Sequence, residues 1–207
     1  MVKIYTKTGD DGTTGLLYGG RVRKDSGGIE INGTVDEAQA AMGLARAEFD
    51  PDSELDRLLT VLERDLYVLM AEVATDPSNR SKLRSGQTLV TSAMVDDLEG
   101  NIDDLIARID MPTDFVVPGA NRASAALDMA RTVVRRAERL VVSFPIEGSE
   151  VGRYLNRLSD LLWAMARYAE GDEHLLARRQ QRNRTKRRAD RGTVDERPAP
   201  AEQQRSS

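Results

Sequence analysis

Apolar side chains at helical spacing constrain the fold of this chain more than any other feature. Between residues 53 and 74, leucine, methionine and valine recur every three or four positions, which places them on one face of an α-helix. Similar runs begin near Thr34 and cover residues 90 to 109, 130 to 139 and 151 to 169. No long stretch alternates apolar and polar residues as a half-buried strand does, and aromatic residues make up only 4% of the chain. The pattern predicts an all-α core.

Length and composition exclude several kinds of protein. The 207 residues are enough for one domain with a sizeable core, and we expect a single domain. Because cysteine is absent, disulfides, thiolate metal sites and cysteine nucleophiles are excluded. The only histidine, His174, lies in a polar stretch after the last helix, where an ordinary exposed residue is the favoured interpretation. No apolar run has the length of a signal peptide or a membrane span, so we expect a cytoplasmic protein without membrane contact.

Residues 1 to 33 are too densely punctuated by glycine and threonine for a helix and predict an extended arm. Within TKTGDDGTTG, residues 6 to 15, backbone N–H groups, hydroxyls and Lys7 are groups that bind a polyphosphate, since glycine lets the main chain approach an anion closely. The segment is not a Walker A loop, because it lacks the G-x-x-x-x-G-K-[ST] pattern. Taken alone, it is also typical of a flexible terminus.

The first helix is expected to begin at Thr34, with Glu37 completing a capping box. Asp36, in the first turn of this helix, has two interpretations. It either complements the helix dipole or anchors an arginine elsewhere in the protein.

The run ARTVVRRAER, residues 130 to 139, has two nearly opposed faces when drawn as a helix. Alanine, valine and leucine occupy one face, and Arg131, Arg135, Glu138 and Arg139 occupy the other. Guanidinium groups are always charged and bind oxyanions in a bidentate manner, so this face is either a solvated surface or an anion site. The segment alone favours the solvated surface.

Two further positions carry a structural and a functional interpretation. Phe115 lies in a short apolar segment between Pro112 and Pro118, where it is either a core residue or a rigid apolar face for a ligand. Asn156 belongs to a polar stripe on the last helix, together with Asp160, Trp163 and Arg167. Its amide could bind a nucleobase or sugar, or link two helices.

The last part of the chain, residues 171 to 207, loses apolar periodicity and predicts a disordered basic tail. Its arginines could bind nucleic acid or an acidic partner, but the favoured interpretation is a solubilising extension. The net charge of -4 also argues against general nucleic-acid binding.

Four motifs occur in a fixed order along the chain: YTKTGDDGTTGL at 5 to 16 with Lys24 after it, GTVDEAQAAMG at 33 to 43, FVVPG at 115 to 119 with ARTVVRRAER at 130 to 139, and YLNRLSDLLWAMAR at 154 to 167. Together they resemble the PduO-type ATP:cob(I)alamin adenosyltransferases, a family of trimeric helical bundles. The resemblance implies an all-α, ferritin-like, up-down bundle of five helices over residues 34 to 170, preceded by an ATP-binding arm over residues 1 to 33.

The resemblance also implies the residues that bind ATP. The arm would contribute Thr6, Lys7, Thr8, Gly9, Thr14, Gly15 and Lys24. The opposite wall would come from a neighbouring subunit and contain Arg135, Arg136, Glu138, Arg139 and Asn156. Arg136 is included on the motif alone, because the helical projection directs it elsewhere.

For the corrinoid, the resemblance implies three catalytic residues. Phe115 would pack beneath the corrin ring and displace the lower axial ligand, and Asp36 would pair with Arg131 beside it. The implied reaction is attack by Co(I) on the 5′ carbon of ATP, which forms adenosylcobalamin and triphosphate. Mg²⁺ would accompany ATP, with no protein ligand assigned, and a separate reductase would supply electrons. The product would pass to an adenosylcobalamin-dependent enzyme.

The chain departs from this family at several positions. Ala120 and Asn121 replace a glycine that usually follows the proline, and Trp163 stands in place of a phenylalanine. A different class of function is a non-catalytic helical bundle whose basic helix and tail dock an acidic partner or RNA.

Overall fold

The computed structural model describes residues 4–171 and 174–177. It is a mostly helical bundle with a small two-stranded sheet. The α-helices are α1 (Gly27–Arg46), α2 (Glu54–Val73), α3 (Ser92–Ile106), α4 (Arg122–Ser143) and α5 (Val151–Glu170). The strands are β1 (Thr13–Gly15) and β2 (Arg21–Arg23), and a 3₁₀ helix covers Pro77–Lys82. The mostly helical core expected from the sequence is confirmed.

Helix α5 packs against both α3 and α4, while α1 packs against α2 and α4. Residues on almost every side of α5 are therefore buried, among them Leu155, Leu161, Ala164 and Ala166. The predicted polar stripe is wrong at Arg167, which is only 1% exposed. A helix that contacts neighbours on several sides has no continuous solvent face, and a charged residue there must find partners within the protein.

Short polar caps set the starts of three helices. The Ser53 and Thr91 side chains accept hydrogen bonds from the third residues of α2 and α3. Asn121 caps α4 in a reciprocal capping box with Ser124, and its Nδ2 donates to the Ala169 carbonyl at 2.7 Å. Asn121, a departure from the family pattern, thus fixes the start of α4 against the end of α5.

The first helix begins at Gly27, with Ser26 as its N-cap, and the predicted start at Thr34 is wrong. Thr34 lies inside the helix, where its buried hydroxyl donates to the Glu30 carbonyl at 2.9 Å. Packing requires a glycine at position 27, because a methyl group there would lie 2.3 Å from the Phe144 ring. In a sequence, a glycine that allows close packing cannot be distinguished from one that interrupts a helix. The predicted start of the first helix was therefore placed too late.

The N-terminal arm contains a hairpin that the sequence did not predict. Strands β1 and β2 pair antiparallel, with Thr14 opposite Val22. After β1, the Leu17 N–H donates to the Ala74 carbonyl at 2.8 Å, which attaches the arm to the end of α2. Strands of three residues are too short to show an alternating pattern, so only an extended arm was foreseeable.

The predicted disordered tail lies largely outside the described residues. Residues 174–177 are described and run beside the segment between α3 and α4, where Val116 forms an antiparallel bridge with Leu176. Among the described residues, no helix combines the length and apolar character that a bilayer crossing requires.

Candidate active site

A cavity of about 650 Å³ opens beside the segment that joins α3 to α4. Its wall is formed by Met111, Pro112, Thr113, Asp114, Phe115, Val116, Pro118, Asp128, Arg131, Trp163 and Arg167. Phe115 is 83% exposed, so its ring is not part of the core. A large apolar side chain left in solvent at a cavity wall is typical of a surface that a ligand or another chain covers.

The position of Phe115 depends on its backbone, because its ring has few neighbours. The Phe115 carbonyl accepts a hydrogen bond from the Ala177 N–H at 2.7 Å. Two residues further on, the Val117 N–H donates to the Leu175 carbonyl, also at 2.7 Å. The short segment after α5 therefore holds the strand-like backbone that carries the aromatic ring.

A network of charged side chains includes Asp128, Arg131 and Arg167 of the cavity wall. Asp128 accepts from Arg131 Nε at 3.0 Å and from Arg167 Nη2 at 2.7 Å. Arg167 Nη2 also donates to Glu170 Oε1 at 2.8 Å, and the other oxygen of Glu170 lies 2.9 Å from His174 Nδ1. The interpretation of His174 as an ordinary exposed residue is wrong, since its side chain is 12% exposed and contacts this network.

The expected pairing of Asp36 with Arg131 does not occur within the chain. Asp36 is exposed on α1, and the carboxylate that contacts Arg131 is Asp128, one turn earlier on α4.

The remaining motif residues of α4 divide into paired and unpaired groups. Arg136 forms an ion pair with Glu37 of α1, and Glu138 Oε1 accepts from Asn156 Nδ2 at 2.8 Å. Arg135 and Arg139 are exposed, and neither has an ion-pair partner in the part of the chain that the structure describes. Among the described residues, the Glu138 carboxylate contacts the Asn156 amide and neither of these two arginines. Two guanidinium groups are thus free to meet an anion.

The arm brings its predicted phosphate-binding residues close to one another. The Thr6 and Thr8 hydroxyls lie 2.8 Å apart, and the Lys24 amine lies so close to Gly9 that a methyl group there would be 3.1 Å from it. Thr14 and Gly15 lie on β1, and Lys24 directly follows β2. Lys7 adopts a φ of 60°, an uncommon conformation for a residue with a side chain.

The turn of the arm is ordered by its own polar groups. The hydroxyl and backbone N–H of Thr13 both donate to Asp11 Oδ1, at 2.8 and 2.9 Å, and these hydrogen bonds hold the pKa of Asp11 below its ordinary value. Arg21 of β2 donates to the Thr13 hydroxyl and the Thr8 carbonyl. The bonds described for the arm join it to itself, to Ala74 and to Thr88; among the described residues none reaches Arg135, Arg139 or Asn156.

Asp128 and Glu170 are the site residues that sequence reasoning missed. Asp128 stands three positions before Arg131, a helical spacing that pairs opposite charges and was visible in the sequence. Glu170 stands three positions after Arg167, the same spacing, but the helical pattern could not show that the end of α5 is buried.

No three histidine, aspartate or glutamate side chains within residues 4–171 and 174–177 gather so that they could hold a metal ion. Mg²⁺ is usually bound through one or two carboxylates together with substrate phosphates. An Mg²⁺ ion bound in this way would be held mainly by the phosphate oxygens of a nucleotide.

Comparison with known proteins agrees with this arrangement. The family model for cobalamin adenosyltransferase matches residues 4–169. The corrinoid adenosyltransferase of Citrobacter freundii is 39% identical over 173 residues, which are 82% of this chain and 96% of that protein. The corrinoid adenosyltransferase of Mycobacterium tuberculosis is 39% identical over 183 residues, covering 86% and 94%.

A solved structure shares the fold. It is a variant PduO-type ATP:corrinoid adenosyltransferase from Lactobacillus reuteri complexed with cobalamin and ATP, with a TM-score of 0.75, 29% identity, and coverage of 86% of this chain and 100% of that one. On these matches, which span nearly all of the described residues, the chain belongs to the cobalamin adenosyltransferase family.

Proposed function

We propose that this chain transfers the 5′-deoxyadenosyl group of ATP to the cobalt of cob(I)alamin and releases triphosphate. One observation carries the proposal: an exposed phenylalanine, Phe115, stands beside Arg131 at a cavity of about 650 Å³ in a chain of this family. The alternative of a non-catalytic docking bundle has no comparable support, because the matched relatives are named adenosyltransferases.

ATP binds between the arm of one subunit and α4 of a neighbouring subunit in this proposal. Thr6, Lys7, Thr8, Gly9, Thr14, Gly15 and Lys24 line the arm side. Arg135 and Arg139 are exposed and unpaired within the described part of the chain, which supports contact with the triphosphate. No described bond links the arm to these arginines, which is compatible with a site shared between subunits of the proposed homotrimer.

Asn156 and Glu138 act together at the nucleoside end. The Asn156 amide is already fixed by its bond to Glu138 Oε1, so its oxygen has a defined direction, and that oxygen accepts from Arg157 Nη1 at 2.6 Å. Arg136 is paired with Glu37 of α1. This ion pair supports a role for Arg136 in holding α4 against α1 rather than in direct contact with ATP.

The corrinoid occupies the cavity beside Phe115 in this proposal. An apolar ring beneath the corrin excludes water and the lower axial ligand from the cobalt, and loss of that ligand makes Co(II) easier to reduce. Arg131 places a positive charge at the same wall, and Asp36 of a neighbouring subunit is its proposed partner. The protein contributes position, exclusion of water and charge, since the cobalt of the substrate is itself the nucleophile.

The arginines stabilise the leaving triphosphate. Negative charge grows on its oxygens as the bond to the 5′ carbon breaks, and fixed guanidinium groups stabilise charge that develops in the transition state. Mg²⁺ bound to the phosphates supplies additional neutralisation of the same charge.

Other features expected from the sequence stay predictions within this proposal. They are the ferritin-like up-down arrangement, the homotrimer, the cytoplasmic location, a separate reductase and transfer of the product to an adenosylcobalamin-dependent enzyme.

An assay with purified protein tests the proposal. The protein is mixed with ATP, Mg²⁺ and chemically reduced cobalamin, and the absorbance of cob(I)alamin is followed over time. We expect ATP-dependent conversion to a light-sensitive product, and no conversion when ATP is omitted. Absence of product with competent cob(I)alamin would refute the proposal.

A further inference from the structure

A buried carboxylate in the cavity wall, Asp128, contacts two arginines at once. Its Oδ1 accepts from Arg131 Nε at 3.0 Å and its Oδ2 accepts from Arg167 Nη2 at 2.7 Å. The Asp128 side chain is 5% exposed and that of Arg167 is 2% exposed. Removing such charges from water is costly unless they are paired and hydrogen-bonded, so this arrangement is held firmly.

Arg131 is bound through Nε alone, which leaves both of its terminal nitrogens available. Neither terminal nitrogen has a hydrogen-bond partner in the described part of the chain, and the side chain is 25% exposed at the cavity that Phe115 also lines. Because the guanidinium group is planar, the bond at Nε sets the plane in which the terminal N–H groups can donate. The direction of the Arg131 donors therefore depends on Asp128.

Asp128 is in turn held by residues at the end of α5. Arg167 Nη2 donates to Glu170 Oε1 at 2.8 Å as well as to Asp128, and its guanidinium carbon lies 5.6 Å from the centre of the Trp163 ring. Glu170 uses its second oxygen for His174 at 2.9 Å. Rotation of the Asp128 carboxylate would break a bond within this network and leave a buried charge unpaired.

We propose that Asp128 is a positioning residue that orients the donors of Arg131 toward the substrate cavity, with Arg167 as its fixed counter-ion. In this proposal Asp128 acts through Arg131. The inference rests on the proposed role of Arg131 at the corrinoid wall.

A double-mutant cycle tests this inference in the full-length protein. Asp128→Asn keeps the size of the side chain and an acceptor oxygen but removes the charge that binds both arginines. We expect kcat/KM for cob(I)alamin to fall roughly tenfold or more, because a misdirected donor loses its contact in the transition state. In the Arg131→Ala background, Asp128→Asn should cause no further loss of kcat/KM.

The matched control is Glu150→Gln. Glu150, the N-cap residue of α5, and Arg153 also form a pair three residues apart, at 2.9 Å, but both side chains are more exposed than that of Asp128. Loss of this ion pair in Glu150→Gln should change kcat/KM by less than about twofold. If Asp128→Asn folds poorly, Asp128→Glu enters the same cycle, since it keeps the charge and displaces it by one methylene.

The outcomes separate the two proposals. Normal activity of Arg131→Ala would refute the role of Arg131, and the inference about Asp128 with it. If Arg131→Ala lowers kcat/KM and the double variant loses the product of the two single losses, the inference about Asp128 alone is refuted. A purely structural role of Asp128 would lower Tm in both backgrounds and give such multiplied losses.

Discussion

Glu138 of α4 and Asn156 of α5 are joined by a hydrogen bond in which Asn156 Nδ2 donates to Glu138 Oε1 at 2.8 Å. Both side chains are half-buried, so the amide has few other orientations open to it. This contact fixes one polar group of the proposed nucleotide site across the α4 and α5 interface.

Replacing Asn156 with aspartate should impair the use of ATP. The variant places a second carboxylate next to Glu138, where like charges repel and no N–H is left to donate. We expect KM for ATP to rise about tenfold, with a smaller effect on KM for cob(I)alamin. Steady-state kinetics measure both constants, and Arg153→Ala on the exposed side of α5 is the control. An unchanged KM for ATP would contradict the proposed contact.

Phe115→Ala should affect two assays differently. Starting from cob(II)alamin with a reductant, the rate should fall at least about tenfold, because the lower axial ligand is no longer excluded. Starting from preformed cob(I)alamin, the loss should be less than about threefold. Val117→Ala, a neighbour outside the cavity wall, is the control. Equal losses in the two assays would contradict the role given to Phe115.

Gly27→Ala should destabilise the fold, whereas Gly33→Ala should not. A methyl group at Gly27 would lie 2.3 Å from the Phe144 ring, but one at Gly33 meets no atom within 4 Å. We expect the free energy of unfolding to fall by about 1–3 kcal/mol for Gly27→Ala and to rise by about 0.5–1 kcal/mol for Gly33→Ala. Urea denaturation measures both. Recovery of stability in Gly27→Ala combined with Phe144→Ala would identify the clash as the cause.

Asp65→Asn should change the pH dependence of stability. Burial raises the pKa of Asp65, which accepts a hydrogen bond from the Tyr154 hydroxyl at 3.0 Å. A carboxyl group with a raised folded-state pKa contributes stability at low pH and loses that contribution as the pH rises through this pKa. An asparagine keeps the acceptor for Tyr154 without this loss.

The free energy of unfolding of Asp65→Asn should therefore improve relative to the parent protein as the pH rises from about 4 to 7. Denaturant titrations at several pH values measure the difference. Asp104→Asn, at an exposed position on α3, should show no such trend. A difference that shrinks with rising pH would contradict the sign of this pKa shift.

The helices could be predicted because each buries an apolar stripe that is visible in the sequence. The expected run from 53 to 74 differs from α2, Glu54–Val73, by a single residue at each end. The start of α1 could not be predicted, since Gly27 acts through the distant Phe144 ring. Local glycine content gave the wrong boundary for that reason.

The candidate site was only partly accessible from the sequence. The exposure of side chains such as Arg135 and Arg139 could be predicted directly from helical periodicity. The contact between Asp128 and Arg167 could not, because it depends on which faces of α4 and α5 are buried together. Sequence motifs therefore indicated the groups that we propose to meet substrates, and the structure added the carboxylates that contact them.

The most direct test of the proposed activity follows the adenosyl group itself. ATP labelled at the 5′ carbon is incubated with the purified protein, Mg²⁺ and cob(I)alamin, and the corrinoid and phosphate products are separated. The proposal predicts label in the corrinoid in equal amount to the triphosphate released. Label that stays with the nucleotide, or ATP cleavage without a labelled corrinoid, would contradict it.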